Sequence, residues 1–127
     1  MHPGNVLARV TDAVLFAPAA RTTTANGTGV DVTDYEGVAT VLLTSAAGTG
    51  TTPTLDVKLA DSADNSTWAD IPGATFAQVT TAASEQLLAF DVQAARKFVR
   101  AQCTIAGTTP SFTFAVAFVG IKKVASA

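Results

Sequence analysis

The chain holds one histidine, His2, and one cysteine, Cys103, and these limit its nucleophilic chemistry. A serine or cysteine nucleophile needs a base held at hydrogen-bond distance by a rigid frame. His2 stands in a segment that reads as an arm and offers no such frame. Cys103 lies in KFVRAQCTI, where Val99, Ala101, Cys103 and Ile105 share one face of a period-2 pattern. A thiol there is a small core side chain with no neighbouring base. A single cysteine makes no internal disulfide, which fits synthesis in a reducing cytoplasm. Asp61, Asp64 and Asp70, with Asn65, form the densest acidic group. Calcium takes such oxygens, but DSADNSTWAD lacks the spacing of an EF-hand loop. Asx side chains also close turns, and turn chemistry without a metal is the expectation. Asp31, Asp34 and Glu36 read as a solvated strand end. GTGTT at 48–52 lacks the lysine and following helix of a phosphate loop, and no cofactor is expected. Arg96, Lys97 and Arg100 surround Phe98, an arrangement that could stack a base and hold its phosphate. A net charge of −2 argues against nucleic acid, and these cations fit sheet-edge ion pairs or an acidic protein partner better. Trp68, beside Asp and Asn, is the minimum for a sugar platform, although a tryptophan after a turn more often plugs the end of a sandwich.

The elements that must position these groups are strands. At 127 residues, with 48% hydrophobic and 14% charged side chains, the chain is one globular domain and not a disordered polyelectrolyte. Its longest strictly apolar stretches, such as Phe114–Val119, are far short of the ~20 residues of a membrane helix. The first ten residues have neither a basic leader nor a long apolar run, so no secretory signal is expected. The sequons at Asn26 and Asn65 are then chance matches in a threonine-rich chain. Period-2 alternation is clearest in Thr54–Asp61, Lys97–Ile105 and Ser111–Ile121. Ala13–Ala17, Val38–Ser45, Thr67–Ile71, Thr75–Val79 and Ser84–Val92 add further strands. Asn26-Gly27 predicts a tight hairpin with Gly29–Thr33 as the returning strand. Ala46–Pro53 reads as an exposed loop, Pro72-Gly73 and Gly107–Pro110 as turns, and Gln93–Arg96 as one helical turn. The expected architecture is all-β: a single antiparallel β-sandwich, jelly-roll-like, of about eight strands and negligible helix. Residues 1–11 form an N-terminal arm, 12–123 the sandwich and 124–127 a tail. Both faces of Val38–Ser45 and Ser111–Ile121 are apolar. One face can fill the core, and the other must be covered by a second element or another chain. Val6, Leu7, Arg9 and Val10 on the arm are the candidate partner-contact residues.

The segment DSADNSTWADIPGATF, residues 61–76, resembles a pattern of small structural proteins of tailed bacteriophages. There a strand ends in an acidic-Ser turn, a Ser/Thr-aromatic-x-Asp-Ile/Val strand follows, and then Pro-Gly-Ala. The stretch from Asp31 to Gly37 before a long apolar strand, LDVKLADS at 55–62 and RKFVRAQCTIAG at 96–107 extend the resemblance over about residues 20–121. Such proteins are similar to capsid decoration, or cement, proteins. The resemblance implies a β-sandwich without enzyme activity on the outside of a virion, made in the host bacterial cytoplasm. It implies the major capsid protein as partner and a homo-oligomer, a trimer being favoured by the threefold positions of a shell. No nucleic acid, membrane or cofactor is implied, and no individual functional residue carries over. The rival readings are a neck- or tail-associated virion protein and a carbohydrate-binding sandwich using Trp68 and the Asp-rich turns.

Overall fold

The computed structural model describes residues 10–122. Eight strands follow in order: β1 (Val10–Arg21), β2 (Ala25–Asn26), β3 (Val30–Asp31), β4 (Tyr35–Ser45), β5 (Thr49–Ser62), β6 (Ala69–Thr75), β7 (Ser84–Asp91) and β8 (Phe98–Lys122). The only helical element among the described residues is a three-residue 3-10 turn, Val92–Ala94, whose first N–H groups are met by the Asp91 side chain at Gln93 N. All ladders are antiparallel, as expected for an all-β sandwich, and the two sheets wrap toward a barrel. No described helix is long and apolar enough to cross a membrane.

β8 joins the two sheets. Its second half pairs with β1 on one side and β4 on the other, and β7 follows β4. This gives sheet 1 the order β7-β4-β8-β1. Its first half pairs with β5 and with β2 and β3, and β6 follows β5, which forms sheet 2. The strand stays unbroken for 25 residues because of two Gly/Thr stretches that cross at the corner. Gly50, Thr52, Gly107 and Thr109 all take positive φ there. Thr51 pairs with Thr108 and Thr54 with Ala106, with register shifts between. A Cβ on Gly50 would lie 2.5 Å from the Thr109 carbonyl oxygen, so the close approach needs glycine.

This corrects two expectations. Most of Ala46–Pro53 is strand, since β5 starts at Thr49, and Gly107–Pro110 is a bulged bend inside β8 and not a turn. Three more local readings change. Asn26-Gly27 makes no hairpin, because β2 and β3 each bond to β8, and Gly27 N–H donates to the Ala101 carbonyl at 2.7 Å. Pro72-Gly73 is a bulge within β6, with Gly73 at φ +77. Of the Thr75–Val79 strand, Thr75 ends β6 opposite Lys58, and beyond it only the bridge between Val79 and Leu55 forms.

The core follows the alternation. Leu55, Val57 and Leu59 of β5, Val99, Ala101 and Cys103 of β8, and Val41 and Leu43 of β4 are buried. Phe112, Phe114, Val116 and Phe118 continue the inner face of β8 into sheet 1. Phe114 meets Phe16 edge-on at 5.3 Å, and Phe118 meets Tyr35 at 4.9 Å. The bulge in β1 between Val14 and Phe16 explains why Leu15 and Phe16 are both buried though adjacent.

Candidate functional site

The acidic residues of the sequence are drawn apart into separate local contacts. Asp61 forms an ion pair with Arg96 at 2.9 Å and also accepts from the Arg96 backbone N–H. Asp64 closes its own turn: one oxygen accepts from Ser66 N, Thr67 N and Ser62 Oγ, each at 2.9 Å. Those donors, the Thr67 N–H first, hold its carboxyl below the usual carboxylate range. Asp70 pairs with Lys58 at 3.0 Å. Asp31 accepts from Thr33 N, and hydrogen bonds from Thr33 lower its pKa. Among the described residues no group of three metal-ligating side chains converges.

The basic cluster is divided in the same way. Arg96 is committed to Asp61, Lys97 lies over the Phe98 ring at 5.3 Å, and Arg100 stacks on Trp68 at 4.2 Å. With its amide oxygen turned toward Arg100, Gln102 accepts from Nη2 at 2.9 Å. Trp68 is half-buried, one ring face lies under Arg100, and the β2–β3 connection approaches its edge at Gly29. Cys103 is buried, and desolvation pushes its thiol up, away from the reactive thiolate. The outer face of sheet 2 is therefore polar and internally partnered; Gln78 closes it by donating to Asp56 at 3.1 Å.

The outer face of sheet 1 has the opposite character. In the register, Leu87 of β7 stands opposite Leu42 of β4, Leu42 opposite Ala117 of β8, and Ala117 opposite Val14 of β1. These four form one uncharged row across all four strands. The next row holds Ala89, Thr40 and Val119, and ends at Asp12 on the β1 margin. Every large hydrophobic residue exposed among the described residues lies on this sheet: Leu87 at 72%, Val38 at 62%, Val14 at 54%, then Val119 and Ile121. A shallow apolar depression of about 260 Å³, lined by Pro18, Thr44, Ala46, Thr113, Phe114 and Ala115, extends the surface toward the corner. The carboxylates Glu85 and Asp91 stand at the two ends of β7, opposite Thr44 and Val38. An exposed apolar patch of this kind, with charge kept to its margin, is the usual mark of a contact surface.

The predicted arm residues Val6, Leu7 and Arg9 lie outside the described residues, as does His2. Val10 is not part of a free arm: it opens β1 opposite Ile121, on the edge strand of sheet 1. Two structural side chains escaped the sequence reading. Arg21 donates to the Ala17 and Phe114 carbonyls and lies over the Phe16 and Phe114 rings. Gln86 donates to the Ala77 carbonyl and accepts from its N–H, bridging the seam beside β7 like a short piece of strand. Neither has a sequence signature, because each reaches backbone groups, at Phe114 and at Ala77, that only the fold brings close.

No family model matches the chain, and no curated protein matches its sequence. Its fold, an antiparallel sandwich, recurs in solved structures of viral and prophage origin. The SPBc2 prophage-derived protein YomS aligns over 87% of this chain and 92% of its own, at 13% identity and TM-score 0.50. The PBSX exported protein XepA aligns over 92% of this chain at 15% identity and TM-score 0.57. A chain of the infectious bursal disease virus VP2 subviral particle aligns over 90% at 10% identity and TM-score 0.57. This chain spans 39% of the XepA chain and 33% of the VP2 chain. At these identities the likeness is one of fold.

Proposed function

We propose that the chain is a non-enzymatic virion structural protein that binds the outside of a bacteriophage capsid and stabilises the head. The observation that carries this reading is the uncharged row Leu87–Leu42–Ala117–Val14, exposed at Leu87 and Val14 and half-buried between them, on a sheet that no described element covers. The fold shared with two prophage proteins and a virus-particle chain supports it. The partner is the major capsid protein, and binding only its assembled form stabilises the lattice by mass action. Four strands spaced ~4.8 Å apart, each exposing a run of ~20 Å, give a footprint of roughly 400 Å². A stable stand-alone interface takes about 800 Å² per partner. Attachment therefore calls for more than one contact, either through the N-terminal arm with Val6, Leu7 and Arg9 or through self-association into a multivalent unit. A trimer on threefold positions is one such unit.

Cosedimentation with undecorated capsids tests the reading. Val119→Lys places a charge in the second row of the apolar face, and it should abolish cosedimentation while leaving the melting temperature within a degree or two of the parent. Lys58→Ala on the opposite face should bind like the parent. Binding to purified tails, with none to capsids, would move the protein to the neck or tail.

A further inference from the structure

The four sheet margins are not built alike. β1 is broken by two register shifts and Pro18, and Arg21 caps its Ala17 carbonyl. β2 and β3 are two residues each, and the chain between them is stitched to β1 by Thr28 N–H to the Leu15 carbonyl at 3.1 Å. β6 carries Pro72, Gly73 and a register shift against β5. Bulges, proline and very short strands are the usual ways in which a sheet margin is kept from pairing with another chain. β7 has none of them. Ser84–Asp91 holds eight successive register pairs with β4 without a shift, and it contains no proline, glycine or lysine. No described backbone group beyond β4 pairs with its main chain. Gln86 reaches Ala77 with its side chain, and Ala89 and Phe90 face Ile71 and Ala74 of β6 across a shallow cleft; among the described residues neither neighbour pairs with the β7 backbone.

We propose that the open edge of β7 pairs antiparallel with β7 of a second copy of this chain about a two-fold axis through Leu87. An antiparallel edge is its own complement, so one surface serves both partners. Charge selects the register. Centring the pair on Leu88 would set Glu85 directly opposite Asp91 of the other copy, twice. Centring it on Leu87 sets Glu85 opposite Ala89 and brings the two most exposed apolar side chains face to face. The row Val14–Ala117–Leu42–Leu87 then continues into its copy across eight strands. The apolar footprint doubles to roughly 800 Å², the size a stable contact takes. The pairing itself does not depend on the capsid reading. It replaces the threefold assembly expected from shell symmetry with a two-fold one.

Sedimentation equilibrium and amide exchange on the purified full chain test it without any particle. A concentration-dependent dimer is expected, with exchange at 84–91 slowing as dimer forms. Leu87→Lys should weaken the dimer by roughly tenfold, since like charges directly opposite repel. Leu87→Cys should cross-link under mild oxidation, because opposed positions in such a pair lie within disulfide reach. The parent, whose Cys103 is buried, should not. Val14→Lys, three strands away, and removal of residues 1–9 should leave the dimer intact. A monomer at millimolar concentration overturns the proposal. So does a trimer, or a dimer that Leu87→Lys spares while Val14→Lys or the truncation dissolves it.

Discussion

The two outer faces of this sandwich are built from the same alternating strands and do opposite things. On sheet 2 the charges Lys58, Asp61, Arg96 and Arg100 each have a partner in the chain itself. On sheet 1 the outward row is uncharged and has no partner in the described molecule. A polar face that satisfies itself has little to gain from another molecule, whereas an exposed apolar row gains about 25 cal/mol per Å² when covered. The segments that carried the phage resemblance, 61–76 and 96–107, lie largely on the self-satisfied side. They shape turns and edges, and the surface able to dock lies on the other sheet.

The largest expected effect breaks both faces at once. Phe114 is buried under sheet 1, against Phe16 and the Arg21 guanidinium. Phe114→Ala should cost about 3–5 kcal/mol in a urea melt, much of a typical total of roughly 5–15 kcal/mol. A smaller effect sharpens the contrast by touching sheet 2 alone. Arg96→Ala removes the partner of Asp61, whose side chain is only 14% exposed, and should cost about 1–2 kcal/mol with capsid binding retained. The smallest is an acid effect confined to the same side. Asp31 and Asp64 have folded-state pKa values below the ordinary 3.8. Their contribution is fully present above that value and is lost as pH falls through the lower folded-state values. Asp64→Asn should therefore flatten the fall in melting temperature as the pH drops below the ordinary carboxylate value of 3.8. If the variant and parent fall in parallel, the Asp64 turn contributes nothing to acid stability.

The alternation in Leu55–Leu59, Val99–Ile105 and Phe112–Phe118 told the inner face correctly, because burial on one side leaves a period of two that needs no knowledge of partners. The connections were less legible. Gly and Pro mark strained backbone, and strain occurs equally in a loop, a turn or a bulge. GTGTTP reads as part of an exposed loop and GTTP as a turn, yet they are two bulged strand segments that pair with each other, 51 against 108. Asn26-Gly27 carries a strong hairpin signal, but β8 offers each arm a longer partner than they offer one another. Of the candidate site, the apolarity of both faces of β4 and β8 was visible. That Leu87 and Val14 complete one row with them was not, since a cross-strand row exists only once register is known.

Five of the seven other described strands bond directly to β8, and the remaining two bond to strands that do. β8 is also the last of the described strands in chain order. During synthesis the first seven strands therefore emerge before their common partner exists. Neither sheet can close early, and the apolar faces of β4 and β5 must wait in the open. Topologies dominated by such distant pairings fold in milliseconds to seconds, against microseconds to milliseconds for helical bundles. The same arrangement makes the end state all-or-none. Pulling β8 away unseats both sheets together, so a copy anchored through sheet 1 passes load to sheet 2 along one continuous backbone.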